Sequence, residues 1–316
     1  MNPKRRSKLN IFVTGARGFI GRNLVEYLDN NPNYLLFYPY HQELELLETD
    51  KMAAFIKKNK IEIIINLASV GGTRKTGYDK GKTDVVTQNL RIFFNLVRCL
   101  DQVKLMIHAG SGAEYSRPHY QTQMSEDYFD TYVPEDAYGF SKYVCSKYIQ
   151  NSKKIIGLRF FGVFGKYEDY TIKFISNAIA KKLLGLPIVI YQNVYFDYLY
   201  IDDLVRIIEW FMNQKSKHKV YNVATGKRVS LLTIARKINQ LPGKPTKIIV
   251  NTPGLNREYT VDNTRLLKEL TEFKFTSLNK ALKELYDWYQ SRLDKLDENA
   301  LMVDKYRKHA QLKTKK

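Results

Sequence analysis

The stretch Leu9-Asn-Ile-Phe-Val-Thr14-Gly15-Ala-Arg17-Gly18-Phe19-Ile20-Gly21-Arg-Asn-Leu24-Val25-Glu-Tyr-Leu28 decides the fold. Its first five residues are an apolar run of the kind that fills a buried parallel strand. Phe19, Ile20, Leu24, Val25 and Leu28 then recur at helical spacing, and Asn30-Asn31-Pro32 ends the helix. Between strand and helix stand Gly15, Gly18 and Gly21, which permit a tight turn, let backbone approach a pyrophosphate and bring helix close to sheet. The unpaired amides of the helix N-terminus favour phosphate there. The spacing is G-x-x-G-x-x-G rather than G-x-G-x-x-G, and a bare structural turn is the competing reading. A strand before and a helix after favour a dinucleotide, with Gly15, Arg17, Gly18, Phe19, Ile20 and Gly21 as its binding turn.

The same alternation continues outward. Strands are expected at 34–38, 61–67, 104–109 and 154–160, and helices at 51–58, 85–100 and 137–149. Strands alternating with helices over about 160 residues indicate an α/β fold built on a doubly wound parallel sheet. The second half is more mixed. Helices are expected at 172–184, 204–212, 231–241, 264–270 and 278–293, with short strands only at 188–191 and 220–223. This predicts a smaller, mostly helical C-terminal lobe. The boundaries follow: 1–165 for the first domain with 195–225 returning to it, 166–194 and 226–295 for the lobe, and 296–316 as a basic tail.

Composition bounds the function. The chain has 316 residues, 44% of them hydrophobic and 26% charged, as in a soluble globular protein. No apolar run approaches the ~20 residues of a membrane span. Cys99 and Cys145 are too few for a disulfide framework or a cysteine-rich zinc site, so no metal is expected and a cytoplasmic location is. The formal charge is +19, but residues 1–8 carry +4 and residues 303–316 carry +5, leaving +10 for the body. Basic ends are commonly solvated tails. The body's excess suits a nucleotide phosphate as well as a polynucleotide, so nucleic acid is not the expected partner.

The second strand of such a sheet normally ends in an acid that binds the adenosine ribose of NAD. Here it leads into Phe37-Tyr38-Pro39-Tyr40-His41-Gln42, with no acid before Glu43. Arg17 in the glycine turn and His41 past the strand instead favour a 2′-phosphate, although Arg17 also reads as an ordinary loop cation. NADP(H) is therefore expected, with NAD(H) as the alternative.

Tyr138-Gly-Phe-Ser-Lys142 places a phenol and an ammonium four residues apart on one helix face. A cation beside a phenol stabilises the phenolate and lets a tyrosine exchange protons near neutrality. With 23 tyrosines the spacing arises by chance, and it occurs at Tyr78/Lys82, Tyr138/Lys142 and Tyr143/Lys147. Context selects the middle pair. Its helix follows a strand that ends in Gly110-Ser111-Gly112, and an open parallel sheet presents its chemistry at the carboxyl ends of strands. Ser111 could donate a hydrogen bond to a substrate carbonyl; by itself it would read as a turn serine.

Taken together, Thr14-Gly-x-x-Gly-Phe-Ile-Gly21, Asn66-Leu-Ala68, Ser111, Tyr138-x-x-x-Lys142, Arg159-Phe-Phe-Gly-Val-Phe-Gly165 and Asp197-Tyr-Leu-Tyr-Ile-Asp-Asp203 resemble the extended short-chain dehydrogenase/reductase family. These are NAD(P)-dependent sugar-nucleotide epimerases, dehydratases and reductases with a modified Rossmann fold, and the resemblance covers roughly residues 9–290. Arg17, His41-Gln-Glu-Leu-Glu-Leu-Leu47 and Val70-Gly-Gly72 look closest to the GDP-fucose synthase branch, whose members use NADPH. The resemblance implies that Leu67 and Ala68 line the cofactor, that Asn89 supports the catalytic region, and that Lys142 also holds the nicotinamide ribose. It also implies a homodimer.

The departures from that branch shape the expected chemistry. Ala113 stands where the branch has a cysteine, and no histidine occurs between His119 and His218 to serve epimerisation. Phe196 replaces an arginine that contacts nucleotide phosphates, and Gly162 replaces an asparagine. Arg257 is the remaining candidate for the diphosphate, against an ordinary surface arginine. The leading expectation is an NADP(H)-dependent reductase of a nucleotide-activated 4-keto-6-deoxysugar that reduces without epimerising. A sugar-nucleotide C4 epimerase with retained NAD is the first alternative. A non-catalytic nucleotide- or RNA-binding member is the second.

Overall fold

In chain order the regular elements of the first half are β1 (Leu9–Thr14), α1 (Phe19–Asp29), β2 (Tyr34–Phe37), α2 (Thr49–Lys58), β3 (Ile63–Asn66), α3 (Val85–Val97), β4 (Leu105–Ser111), α4 (Ala137–Gln150) and β5 (Ile155–Phe160). The second half follows with β6 (Gly162–Phe164), α5 (Phe174–Leu183), β7 (Ile188–Asn193), β8 (Tyr195–Tyr200), α6 (Ile201–Asn213), β9 (Val220–Val223), β10 (Arg228–Ser230), α7 (Leu231–Asn239), β11 (Ile248–Leu255), α8 (Thr264–Glu269), α9 (Leu278–Gln290) and α10 (Glu298–Met302). This computed structural model describes residues 8–72 and 84–303. Tyr78/Lys82 and nearly all of the two basic ends lie outside the described residues.

The chain divides into two units. Among the described residues the first takes 8–72, 84–119, 126–160 and 205–222, and the second 120–125, 161–204 and 223–303. Residues 120–125, 161–165, 195–204 and 223–225, which the sequence reading assigns to the first domain, group with the second unit.

The first unit is a doubly wound α/β sheet in the order β2-β1-β3-β4-β5-β9, parallel in every pairing from β2 to β5. β3 is buried at all four residues, as a strand covered on both faces must be, and this is why its sequence is nearly unbroken in apolar character. Phe12, Ile64, Met106 and Ile155 project from the sheet into one core with Met52, Ile56, Phe93, Leu96, Cys145 and Ile149 of the helices. Both cysteines are buried free thiols. The chain runs from β1 to β2 on one side and then crosses back over β1 to β3. That reversal opens a crevice at the carboxyl ends of β1 and β3, where such sheets bind ligands.

Two strand ends differ from the expectation in ways that matter. β3 is shorter than 61–67, so Leu67 and Ala68 belong to the loop that leaves it. β4 runs two residues past Ala109, because Gly110 pairs with Arg159 and Ser111 with Phe160 of β5. Ser111 is thus the last residue of the strand and shares its rigidity.

In the second unit helices predominate, but β6, β8, β10 and β11 add strands that apolar periodicity does not reveal. β10-β8-β6 form one small sheet and β11-β7 another. β11 is mostly exposed, ends in Asn251-Thr-Pro-Gly-Leu255, and shifts register between Thr252 and Leu255. Pairing with a single partner frees such a strand from a two-sided apolar pattern. Among the described residues, no helix is long and apolar enough to cross a membrane.

Candidate active site

The site in the first unit begins at the glycine turn. Gly15 has φ +67°, and a Cβ there would stand 2.7 Å from the Ala68 nitrogen and 2.8 Å from the Leu67 carbonyl carbon. A Cβ on Gly21 would collide with the Gly15 carbonyl oxygen and stand 2.6 Å from the Ala16 Cα. The turn therefore packs backbone to backbone against the loop after β3, which brings Leu67 and Ala68 beside Gly15. α1 opens at Gly18 with no side-chain cap, so its first-turn amides are not satisfied by a side-chain cap. A cradle that a Cβ would fill, facing an uncapped helix N-terminus, fits the pyrophosphate of a dinucleotide.

Arg17 leaves this turn and stacks on Tyr40, with its guanidinium carbon 2.9 Å from the ring centroid. Tyr40 follows β2, so the stack lies at the carboxyl edge where a ribose acid would otherwise stand. His41 is exposed and paired with Glu45, Nε2 to Oε2 2.8 Å. Glu43 turns back to accept the Tyr40 amide at 2.5 Å. Arg17 is thus the cation at the turn, whereas His41 faces a carboxylate of its own.

A buried polar chain underlies the crevice. The Ala68 amide donates to Thr14 Oγ1 (3.1 Å), and the Thr14 hydroxyl donates to Asn66 Oδ1 (2.7 Å). Asn66 Nδ2 lies 3.0 Å from His108 Nδ1, which assigns that nitrogen as acceptor and places the imidazole hydrogen on Nε2. Burial, and secondarily the charge of Lys142, hold the His108 pKa well below its ordinary value, so the ring is neutral. Its Nε2 has no partner among the described residues.

Ser111, Tyr138 and Lys142 are organised around the end of β4. Lys142 is buried and donates from Nζ to the Ala109 carbonyl at 2.8 Å, while its Nζ stands 5.9 Å from the Tyr138 ring centroid. Asp136 caps α4 by accepting the Gly139 amide at 2.8 Å, which fixes the first turn that carries Tyr138. Gly139 has no room for a Cβ, which would stand 2.8 Å from the Ala113 carbonyl oxygen. The first turn of α4 therefore abuts the loop after Ser111. Ser111 Oγ accepts the Ala113 amide at 3.1 Å, so its hydrogen remains directed elsewhere. Asn89 of α3 clasps the loop after β3, exchanging hydrogen bonds with the Val70 amide (2.7 Å) and carbonyl (3.0 Å) and donating to Ser141 Oγ (3.1 Å) on α4.

The third tyrosine–lysine pair is occupied. The hydroxyl of Tyr143 donates to Asp130, whose other oxygen takes Lys147 at 2.7 Å. The hydrogen bond to Asp130 pushes the Tyr143 pKa up to about 12. Arg257 lies in the second unit, exposed, just beyond β11. Among the described residues no group of three or more histidines, cysteines or acids is placed to hold a metal ion.

Sequence reasoning did not single out Gly72, Glu114, Ser146 or Tyr40. A Cβ on Gly72 would stand 2.5 Å from Tyr138 Cε2. Glu114 and Ser146 form a buried junction with Arg159. Gly72 and Tyr40 stand inside quoted stretches, Val70-Gly-Gly72 and Phe37-Tyr38-Pro39-Tyr40-His41-Gln42, but nothing in the sequence tied either to its partner.

The profile of the NAD-dependent epimerase/dehydratase family matches residues 11–224, and the chain belongs to that family. An ADP-L-glycero-D-manno-heptose-6-epimerase of Brachyspira hyodysenteriae is 26% identical over 264 residues, covering 73% of this chain and 80% of that protein. The crystal structure of a GDP-mannoheptose C4 reductase from Campylobacter jejuni with NADP bound has a TM-score of 0.77 at 18% identity, covering 90% of this chain and 99% of the other. A GDP-L-fucose synthetase of Naegleria fowleri likewise has a TM-score of 0.77 at 16% identity, covering 92% and 95%. This chain shares their fold. It is a member of a family of NAD(P)-dependent enzymes of sugar nucleotides.

Proposed function

We propose that the protein is an NADP(H)-dependent reductase of a nucleotide-activated 4-keto-6-deoxysugar. The observation that carries this reading is the place of Ser111 at the end of β4, against the first turn of the helix that bears Tyr138 and Lys142. Ser111 Oγ accepts from the Ala113 amide and keeps its hydrogen for a ligand, so it can donate to a carbonyl oxygen gaining negative charge. The nicotinamide cofactor supplies hydride when bound. Tyr138 gives its phenolic proton to the sugar C4 oxygen, and Ser111 donates a hydrogen bond to the same atom. Lys142, fixed on the Ala109 carbonyl, keeps positive charge beside the phenol and favours the phenolate left after proton transfer. Leu67 and Ala68 line the cofactor, Asn89 holds their loop, and Lys142 also meets the nicotinamide ribose. Arg257 is assigned to the substrate diphosphate.

Arg17 is the basis for choosing NADP(H): it offers a guanidinium to a 2′-phosphate, with no acid at the end of β2 to repel it. Ala113, which has no acid–base function, supports reduction without inversion at C3 or C5. A homodimer belongs to this reading, supported by Phe140 and Tyr148 exposed on α4. Size-exclusion chromatography with light scattering checks that assignment, and a monomer at micromolar concentration refutes it.

The test is oxidation of NADPH and NADH, followed optically, against freshly generated GDP-, dTDP-, CDP- and UDP-4-keto-6-deoxyhexoses. The Tyr138→Phe variant runs alongside. Consumption of NADPH that disappears in the variant, with cofactor binding intact, is the expected result. Full activity in Tyr138→Phe refutes the assignment. A C4 epimerase with retained NAD is the second reading, supported by a family that includes epimerases. Retained cofactor with interconversion of unreduced sugar nucleotides and no net oxidation would favour it.

A further inference from the structure

Glu114 is completely buried, and its two carboxylate oxygens serve different masters. Oε2 accepts from Arg159 Nε (2.5 Å) on β5 and from Ser146 Oγ (2.6 Å) on α4. Oε1 accepts the backbone amide of Ser111 at 2.9 Å. Arg159 engages Glu114 only through Nε and sends Nη1 to the Tyr115 hydroxyl (2.9 Å), whose own hydrogen goes to Asn222 Oδ1 (2.7 Å). A paired guanidinium and carboxylate usually lock together through two parallel bonds. Here the pair forgoes that arrangement, which leaves Oε1 for the Ser111 main chain. Gly110 makes room for it, since a Cβ there would stand 2.6 Å from Glu114 Oε1.

We infer that Glu114, tethered by Ser146 and Arg159, is a positioning residue that sets Ser111 relative to Tyr138. The inference rests on the proposed roles of those two residues. Tyr138, Lys142 and Ser146 lie at successive i, i+4 positions on one face of α4. Lys142 pins that face to the Ala109 carbonyl, and Ser146 pins it one turn later, through Glu114, to the Ser111 amide. Two anchors a turn apart fix both the rotation and the axial position of the helix against the end of β4. Asn89 at Ser141 and the buried Cys145 and Ile149 also hold α4, but the Ser146 link ties it to the Ser111 amide, and without that link Tyr138 would shift relative to Ser111. A buried ion pair as such is a poor source of stability, and apolar residues of similar volume often do as well. What an apolar pair cannot do is hold a strand-end amide and a helix hydroxyl on one carboxylate.

Ser146→Ala removes one tether and leaves the Glu114–Arg159 pair in place. Cys145→Ala is the control: it opens a cavity in the core on the same helix and removes none of the junction's hydrogen bonds. In Ser146→Ala, kcat with the sugar nucleotide should fall about ten-fold while KM and cofactor affinity stay within about two-fold, because misplacement harms the reaction more than binding. Amide hydrogen exchange of residues 110–115 in the cofactor-bound protein should quicken. Cys145→Ala should melt at a lower temperature with kcat and that exchange unchanged. Where turnover is measurable, kcat decides: a loss in Ser146→Ala no greater than in Cys145→Ala overturns the inference. Should the wild-type protein turn over no sugar nucleotide, the proposed function falls and exchange decides alone. Faster exchange of 110–115 in Ser146→Ala than in the control then keeps the junction, and equal exchange sinks it.

Discussion

Tyr138 lies so close to Gly72 that a Cβ on the glycine would stand 2.5 Å from Cε2 and 2.6 Å from Cζ of the ring. Gly72 also has φ +75°, a conformation that side chains resist. The loop after β3 thus sets one wall of the phenol's position, and Asn89 holds that loop at Val70. Gly72→Ala should displace the ring and cut kcat at least about ten-fold. The accompanying loss of stability should be only about 1 kcal/mol from backbone strain. Steady-state kinetics beside a melting curve separates the two, and wild-type kcat would show that the ring yields without consequence.

Arg17 invites a direct test of cofactor choice. Removing a guanidinium from a phosphate costs about 1.5–3 kcal/mol. Arg17→Ala should therefore lower the NADPH/NADH ratio of kcat/KM by roughly ten- to hundred-fold. Equal losses for both cofactors would assign Arg17 to the pyrophosphate rather than the 2′-phosphate.

Asn66 joins the Thr14 hydroxyl to the His108 ring between three neighbouring strands. Asn66→Ala leaves the hydrogen of the buried Thr14 hydroxyl without an acceptor and a buried imidazole nitrogen without a donor. Stranding two such groups should cost about 3 kcal/mol. Urea unfolding measures this directly, and a loss below about 1 kcal/mol would mean that the two groups find other partners.

Glu168, in the second unit, has its pKa pushed up to about 7, chiefly by burial, against the opposing pull of Lys173 and the Ser176 hydroxyl. Ser176 Oγ lies 2.7 Å from its Oε2. In the unfolded chain the same carboxyl titrates near 4.5. The folded state binds the proton more tightly, so the stabilisation from this group is complete below pH 4.5 and drains away as pH rises towards 7. Its full size is of order 3 kcal/mol. Between pH 5 and 8 the wild-type chain should therefore lose stability relative to Glu168→Gln. Parallel pH profiles of the two proteins would place the titration elsewhere.

The first unit was legible because its signals are repeated. β1, β3, β4 and β5 are buried on both faces and read as apolar runs, and the glycine turn sits between the first strand and helix. Ser111, Tyr138 and Lys142 could be picked out because strand ends and helix starts are themselves legible. What escaped depends on pairs of residues far apart in sequence. Nothing local marks Glu114 as the partner of Arg159, forty-five positions away, or Gly72 as a neighbour of Tyr138. β8 and β11 were missed for a related reason. β8 pairs with the three-residue strands β6 and β10, too short to show a period, and β11 is mostly exposed. Periodicity measures burial, and it falls silent where a strand is exposed.

The hydrogen bond from the Ala113 amide to Ser111 Oγ gives this corner of the protein a polarity. With one lone pair committed, the hydroxyl still has its hydrogen to give, and Lys142 adds positive charge at the Ala109 carbonyl, two residues back along the strand. A ligand that presents an ammonium near Ser111 would set its charge against that of Lys142 in a partly desolvated place. One that presents a ketone, its hydrate or an oxime oxygen would accept the Ser111 hydrogen instead. Inhibitors of this protein should accordingly be built around an acceptor at that atom, with their positive groups kept well away from it.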